Sequence, residues 1–283
     1  MASFTNMATL SYSGGQINSN IVTGQLQEAL TVTKTAVAPS YTIGETAAYV
    51  LTLVNAGTSA LTGLSISDDL GAYTGGGGTV YPLRYEEGTL HYYVGGVAQA
   101  TPTVTAGPPL TISGISVPAG GSAVLVYQTR VSAYASPEVE GEIRNTVTVS
   151  GGTLAAAQTA EAVTAARLAP QLAISKALSP SVVTENGQLT YTFTVQNFGN
   201  VAVSTGDNAV ISDTFDPILR DIRVTYNGAA WTADTNYSYD ETTGVFATAA
   251  GQLTVPEATY TQNADGSWAV DPGSVILTVS GTV

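Results

Sequence analysis

Residues 143–150 read IRNTVTVS, and residues 4–11 read FTNMATLS. Both alternate apolar and polar positions, the pattern of a half-buried strand. Asn145 matches Asn6, Val147 matches Ala8, and Val149 matches Leu10. The 143–150 copy closes a repeat that begins near Leu30. A second repeat begins near Leu172 and reaches Val283 with no such strand after it. One repeat is short of a strand, and a spare copy of that strand stands at the front of the chain.

The duplication is legible when the halves are laid on each other. LTVTK at 30–34 matches LAISK at 172–176, and an offset of 142 carries Tyr49 onto Tyr191, Asn55 onto Asn197 and Gly57 onto Gly199. AAYVLTLVNAG (47–57) thereby overlies QLTYTFTVQNFG (188–199). ISDDL at 66–70 matches ISDTF at 211–215, and GSAVLVYQTRV (121–131) matches GSVILTVSGTV (273–283). Strand-sized motifs recurring in one order indicate an internal repeat. The part that the second repeat lacks corresponds to residues 132–150.

Val, Thr, Ala, Tyr and Gly dominate the 283 residues, and no stretch holds a long helical period. Val and Thr suit a pleated surface, while Gly and Pro punctuate it. An alternating strand needs a second apolar face to cover its own. The expected fold is therefore all-β: two tandem antiparallel β-sandwiches preceded by an N-terminal donor-strand arm. The arm covers residues 1–28, with a first strand over 4–12, a turn at Gly14–Gly15 and a second extended stretch through Ile21 and Val22. The sandwiches cover 29–165 and 166–283. The alanine-rich stretch Ala155 to Ala166 reads as an extended connector.

Three destinations are open to the arm. It could fold back onto its own second domain, though the first domain intervenes in the chain. It could exchange reciprocally in a closed dimer, or fill the gap of the next subunit in an open chain. A donated strand satisfies the backbone of a naked edge and places its side chains in the core. Phe4, Ala8 and Leu10 would be those side chains, with Asn6 beside them and Tyr12 near the rim. Val275, Leu277 and Val279 would form the acceptor edge. Covering about 300–400 Å² of apolar surface gives on the order of 8–10 kcal/mol before ordering costs. The link between the two repeats has the same order as the proposed junction: strand, connector, then an LxxxK strand. That similarity favours the open chain, because a heterologous contact that does not close makes a filament.

LTVTKTAVAPSYTIGETAAYVLTLVNAG with the later IRNTVTVSGG, and again LAISKALSPSVVTENGQLTYTFTVQNFGN, resembles the bacterial surface-protein repeat known as domain of unknown function 11. The resemblance covers both repeat starts and the NTVTV strand; residues 71–120 and 216–270 are less typical. It implies immunoglobulin-like sandwiches, an extracellular structural role in stalks, adhesins or clostridial endospore appendages, and no catalytic residues. The first residues, MASFTNMATL, have neither the basic head nor the apolar core of a signal peptide. No wall-anchoring tail is recognisable either, which favours a spore-surface or otherwise released filament. The expected partner is a second copy of the chain, head to tail, with other appendage or surface components in addition.

The net charge of −13 disfavours nucleic acid, whose phosphates would be repelled. No window is apolar enough for membrane insertion. Without cysteine, disulfide stapling is excluded. No acidic run has calcium-loop spacing, so no metal or cofactor is expected. With one histidine, His91, and no elbow for a nucleophilic serine, an enzyme is not expected either. Glu86, Glu87 and Asp234 have no spacing that defines a glycosidase pair.

The chain has two lysines, Lys34 and Lys176, at equivalent repeat positions. Asn145 lies in the last strand of the first domain, and Asn6 would lie in the donated strand of the second. Asp68 and Asp213 are the repeat-matched acids. A buried acid can leave a lysine neutral enough to attack an asparagine amide. Lys34 with Asn145 and Asp68, and Lys176 with Asn6 and Asp213, are thus candidate isopeptide sets. The alternative is that the lysines cap strands and the asparagines bond turns. The other open alternative is an adhesin or glycan-binding module. Trp231, Tyr237, Tyr239, Tyr81, Tyr85, Tyr92 and Tyr93 could stack on sugars or simply fill cross-strand positions.

Overall fold

The computed structural model describes residues 2–26 and 30–283. They are all-β, with no α-helix and one short 3-10 turn at Thr205–Asp207. The chain divides into two compact units: the second is Ala166–Val283 together with Gly76–Gly78 and Ser136–Gly141, and the first holds the rest.

The arm is a hairpin. Its strands are β1 (Ala2–Asn6), β2 (Thr9–Tyr12), β3 (Gly15–Asn18) and β4 (Val22–Leu26). Phe4 faces Gly24, Asn6 faces Val22, and Leu10 faces Ile17. The Phe4 ring lies across the backbone of Gly24, where any Cβ would collide with it. Among the described residues these strands pair only with one another. Phe4, Leu10, Tyr12, Ile17, Ile21 and Val22 are all more than half exposed. A lone two-stranded hairpin gains little stability in water, and this one presents apolar side chains with nothing over them.

The first sandwich begins with β5 (Leu30–Ala36), β6 (Ser40–Tyr41), β7 (Thr46–Asn55) and β8 (Leu61–Asp68). A short ribbon, β9 (Tyr73–Gly75) and β10 (Gly78–Val80), flanks the glycine run. Then come β11 (Leu83–Tyr85), β12 (His91–Val94), β13 (Val97–Ala98) and β14 (Thr103–Thr105). The long strands β15 (Leu110–Val117), β16 (Ser122–Val131), β17 (Glu142–Gly151) and β18 (Gln158–Ala166) complete it. One sheet has the order β13–β12–β16–β7–β5, and β11 also pairs with β16. The facing sheet has the order β14–β15–β8–β17–β18–β6. Tyr49, Leu51 and Leu53 of β7 and Leu125 and Tyr127 of β16 point inward and are buried, as their period-two spacing requires. The stretch expected to be a connector, 155–166, holds strand β18 instead. Alternation in Gln158–Ala166 buries Ala162, Thr164 and Ala166, and its backbone completes the ladder of β17.

The second sandwich contains β19 (Leu172–Ser179), β20 (Gln188–Asn197), β21 (Ser212–Thr214), β22 (Arg220–Tyr226) and β23 (Ala229–Trp231). It continues with β24 (Tyr237–Tyr239), β25 (Val245–Thr248), β26 (Thr259–Gln262), β27 (Trp268–Asp271) and β28 (Gly273–Thr282). The large sheet runs β19–β20–β28–β22–β23; β21–β25–β24 form a small one, and β26–β27 a ribbon. Phe193, Phe215, Phe246, Leu219 and Leu277 are among the side chains of its core.

Val275, Leu277 and Val279 are not at an edge, which corrects the expectation from sequence. Their strand, β28, is bonded to β20 on one side and β22 on the other, and all three side chains are buried. The alternation that marked the strand is the same for an edge and a centre. The open side lies on β21. In the first sandwich, the matched β8 sits between β15 and β17, with Asp68 opposite both Leu110 and Val147. Asp213 of β21 is opposite Phe246 of β25, and among the described residues no strand takes the other side.

Candidate functional site

The lysine of β5 is in mid-strand rather than at its end, opposite Leu51 of β7. Its position points the long side chain between the sheets, where Nζ lies 2.8 Å from Asp68 Oδ2 with both side chains sealed from solvent. The same oxygen accepts from the Tyr127 hydroxyl, and Oδ1 accepts from the Leu70 N–H at 2.9 Å. Nζ also lies 5.0 Å from the centre of the Tyr49 ring. Burial pulls the Lys34 ammonium below its ordinary value, and Asp68 partly holds it up. Burial likewise pushes the Tyr127 phenol well up, with the Asp68 charge adding to the effect.

Asn145 enters from the facing sheet. Strand β17 carries it two residues before Val147, the partner of Asp68, in the inward row of Ile143, Val147 and Val149. Strands β17 and β5 approach within 8 Å, Cα to Cα. The amide is fully buried, and neither its nitrogen nor its oxygen has a hydrogen-bond partner. The Tyr49 hydroxyl is close to both Asn145 and Thr164; burial pushes the Tyr49 phenol up to about 12. Burying an unsatisfied amide costs about 1–3 kcal/mol. The matched Asn55 and Asn197 show the contrast. Asn55 Nδ2 donates to the Ser59 and Pro118 carbonyls and its Oδ1 accepts from Gly57 N–H, while Asn197 does the same with Val201, Pro256 and Gly199. Those two organise turns; Asn145 does not.

Chemically, the cluster joins an amine with a lowered proton affinity, a carboxyl that can exchange a proton with it, and an amide held in a dry interior. Tyr127, Tyr49 and Thr164 were not singled out by sequence reasoning. Tyr49 had a visible signal, its offset match to Tyr191; Tyr127 had none beyond its inward spacing.

The second sandwich holds the lysine and the acid alone. Lys176 faces Phe193 as Lys34 faces Leu51, and its Nζ pairs with Asp213 Oδ2. It sits 4.3 Å from the Tyr191 ring centre and 5.5 Å from that of Phe215. The side chains are 39% and 20% exposed, against 0% and 1% for Lys34 and Asp68. Val279 stands where the repeat places Tyr127, so the hydroxyl donor is missing here. Asn6, the residue matched to Asn145, is in the arm hairpin with Phe4, Ala8, Leu10 and Tyr12, all exposed.

The aromatics are mainly packing residues. Tyr85, Tyr92 and Tyr237 are buried, Trp231 stacks on Tyr226 at 4.9 Å, and the Tyr239 hydroxyl accepts from Leu219 N–H. His91 is on the exposed face of β12. Glu86 bonds Arg130 Nε at 3.0 Å. Among the described residues, no group of His, Asp and Glu could hold a metal ion. No helix of the described residues is long and apolar enough to cross a membrane.

No family model matches the chain, and no curated protein does. The resemblance to domain of unknown function 11 therefore rests on the quoted motifs alone. The chain is similar to BcpA, the major pilin subunit of Bacillus cereus, at 13% identity and a TM-score of 0.36, over 96% of this chain and 73% of that one. It is similar to the pilus backbone RrgB of Streptococcus pneumoniae at 11% identity and a TM-score of 0.35, over 90% of this chain. It spans half the length of that protein. A family 123 glycoside hydrolase of Clostridium perfringens is similar over 49% of this chain and 27% of its own, at 10% identity and a TM-score of 0.32.

Proposed function

We propose that this protein is a structural subunit of an extracellular filament at a cell or spore surface. One copy inserts residues 4–12 into the second domain of the next, and the chain of copies stays open. Residues 1–28, 29–165 and 166–283 act as donor arm, complete sandwich and acceptor sandwich. The observation that carries the reading is the free side of β21, where the matched β8 has β17. Exposed apolar side chains on the arm and on β19 support it from both sides of the junction. Other appendage or surface components are further partners in this reading. Lys34 and Asn145, with Asp68 as the acid that takes the proton, form an amide bond with loss of ammonia within the first sandwich; an intact mass lower by one ammonia is expected, and an unshifted mass overturns the bond.

Full-length protein and a version lacking residues 1–12 are compared by negative-stain microscopy and light scattering. Long unbranched fibres are expected from the full chain alone. Monomers from both overturn the reading, and a discrete dimer replaces the open chain by reciprocal closure.

A second reading, adhesion through aromatics, has one observation behind it. A cleft of about 880 Å³ in the first sandwich is lined by Tyr81, Arg84, Tyr85, Glu86, Arg130 and Tyr134. Glycan binding by the arm-deleted monomer, lost on Tyr81→Ala, would favour it.

A further inference from the structure

We propose that Lys176 and Asp213 are half of an intersubunit bond-forming site, and that the other half is Asn6 of the next copy, delivered by the arm hairpin as a unit. The inference rests on the filament reading and adds a covalent junction to it.

The two sandwiches supply the argument. In the first, the amine and the acid meet across the sheets, and the hairpin β17–β18 brings the amide and covers them. In the second, the same registers hold Lys176 opposite Phe193 and Asp213 opposite Phe246, and the lysine pairs with the acid. Among the described residues, no hairpin with an asparagine lies over this pair. The inner face of β19 is accordingly bare: Leu172 is 51% exposed where Leu30 is 2% exposed, and Ile174 and Leu178 are exposed as well.

The arm has the form of the missing piece. It is an antiparallel hairpin whose first half repeats β17, and Asn6 faces Val22 as Asn145 faces Ala162. In that register its second half places Val22 where β18 places Ala162, and Gly24, opposite Phe4, where β18 places Thr164, opposite Ile143. Each hairpin is followed in the chain by an LxxxK strand, β5 after the arm and β19 after β18. The occupant is thus a second copy of this chain. A single donated strand would leave its own outer edge unpaired, whereas a hairpin brings its partner strand with it.

The step balances without an oxidant or cofactor. Once the hairpin excludes water, the Lys176 ammonium passes a proton to the Asp213 carboxylate. The neutral amine attacks Cγ of Asn6 from the next copy. The Nζ–Cγ bond forms, the Cγ–Nδ2 bond breaks, and ammonia leaves with the second proton lost by the amine, relayed through the carboxyl. Asp213 ends the step protonated, hydrogen-bonded to the new amide.

The test uses assembled full-length filaments boiled in SDS, with tandem mass spectrometry of the products. A ladder of covalent multimers is expected, with a cross-linked peptide joining Lys176 to Asn6 and lacking one ammonia. Lys176→Arg keeps the charge but cannot form the bond. It should give filaments of normal appearance that dissolve wholly to monomers, as should Asp213→Asn and Asn6→Ser. Wild-type filaments that dissolve to monomers overturn the weld and leave strand donation standing. A ladder that persists in Lys176→Arg overturns the residue assignment. Absence of filaments from the wild-type chain overturns the filament reading itself.

Discussion

The two lysine–acid pairs of this protein are one arrangement in two states of cover. In the first sandwich, β17 and β18 close over Lys34 and Asp68 until their side chains are almost wholly shut off from solvent. In the second, no strand of the described residues stands in their place, and the Lys176 side chain keeps 39% of its surface. Register, acid and neighbouring tyrosine ring are shared, so the difference comes from one hairpin. Removing one partner of an ion pair costs little where water can replace it and much where it cannot, because the other charge is left buried and uncompensated. The comparison therefore separates a finished site from one that waits for its cover.

Removing the acids should break the symmetry most visibly. Asp68→Ala leaves a buried ammonium unpaired and should cost about 3–5 kcal/mol. Asp213→Ala in the free subunit should cost less than about 1 kcal/mol, because the pair is partly solvated. Both tryptophans, Trp231 and Trp268, lie in the second sandwich. Urea unfolding followed by tryptophan fluorescence thus reports that sandwich, while circular dichroism reports both. Equal losses would mean that the cover matters less than the pair.

Leu30→Ala and Leu172→Ala probe the same contrast without charge. The first should cost roughly 2–5 kcal/mol by leaving a core cavity. The second should stay within about 0.5 kcal/mol in the monomer, yet slow or abolish filament growth followed by light scattering. A large loss from Leu172→Ala in the monomer would show that β19 is already covered.

Adding back the missing element sharpens the comparison. A peptide of residues 1–26, mixed with the arm-deleted subunit, should shift the tryptophan-detected transition. The gain is about 2.7 kcal/mol at a hundredfold excess over Kd. The first sandwich should not respond.

The smallest effect is in pH. In Asn145→Ala, Lys34 has no amide to join and stays ionisable. Its folded value lies below the ordinary 10.5, so over a window beneath 10.5 the unfolded chain holds the proton that the folded one has released. Stability should rise with pH through that window. Tyr49 and Tyr127 have the opposite sign, since their folded values are raised above the ordinary 10.0. Stability should fall again once pH passes about 10, where the unfolded tyrosines ionise. The rise should be absent from wild-type protein in which the amide has formed. Denaturation midpoints across the range measure both limbs.

Much of this was legible as pattern. The repeat offset located Lys34, Asp68, Lys176 and Asp213, and strand alternation located Asn145 among apolar neighbours. The acceptor edge was not legible, because Val275, Leu277 and Val279 alternate in a central strand as they would at an edge. Strand β18 was missed because an alanine-rich stretch carries little β signal of its own; its place is set by pairing with β17. Tyr127 entered the site only because β16 sets it across from Asp68.

By itself, the sequence determined the all-β character, the duplication, the matched lysines and acids, and the likeness of residues 4–11 to 143–150. These depend on the order and spacing of side chains, which a strand with a period of two expresses directly. Tertiary structure alone decided which strand has a free side, that the arm is a hairpin, and that one ion pair is sealed while its twin is open. Those features arise from hydrogen bonds and burial between segments far apart in the chain, and no local spacing records them.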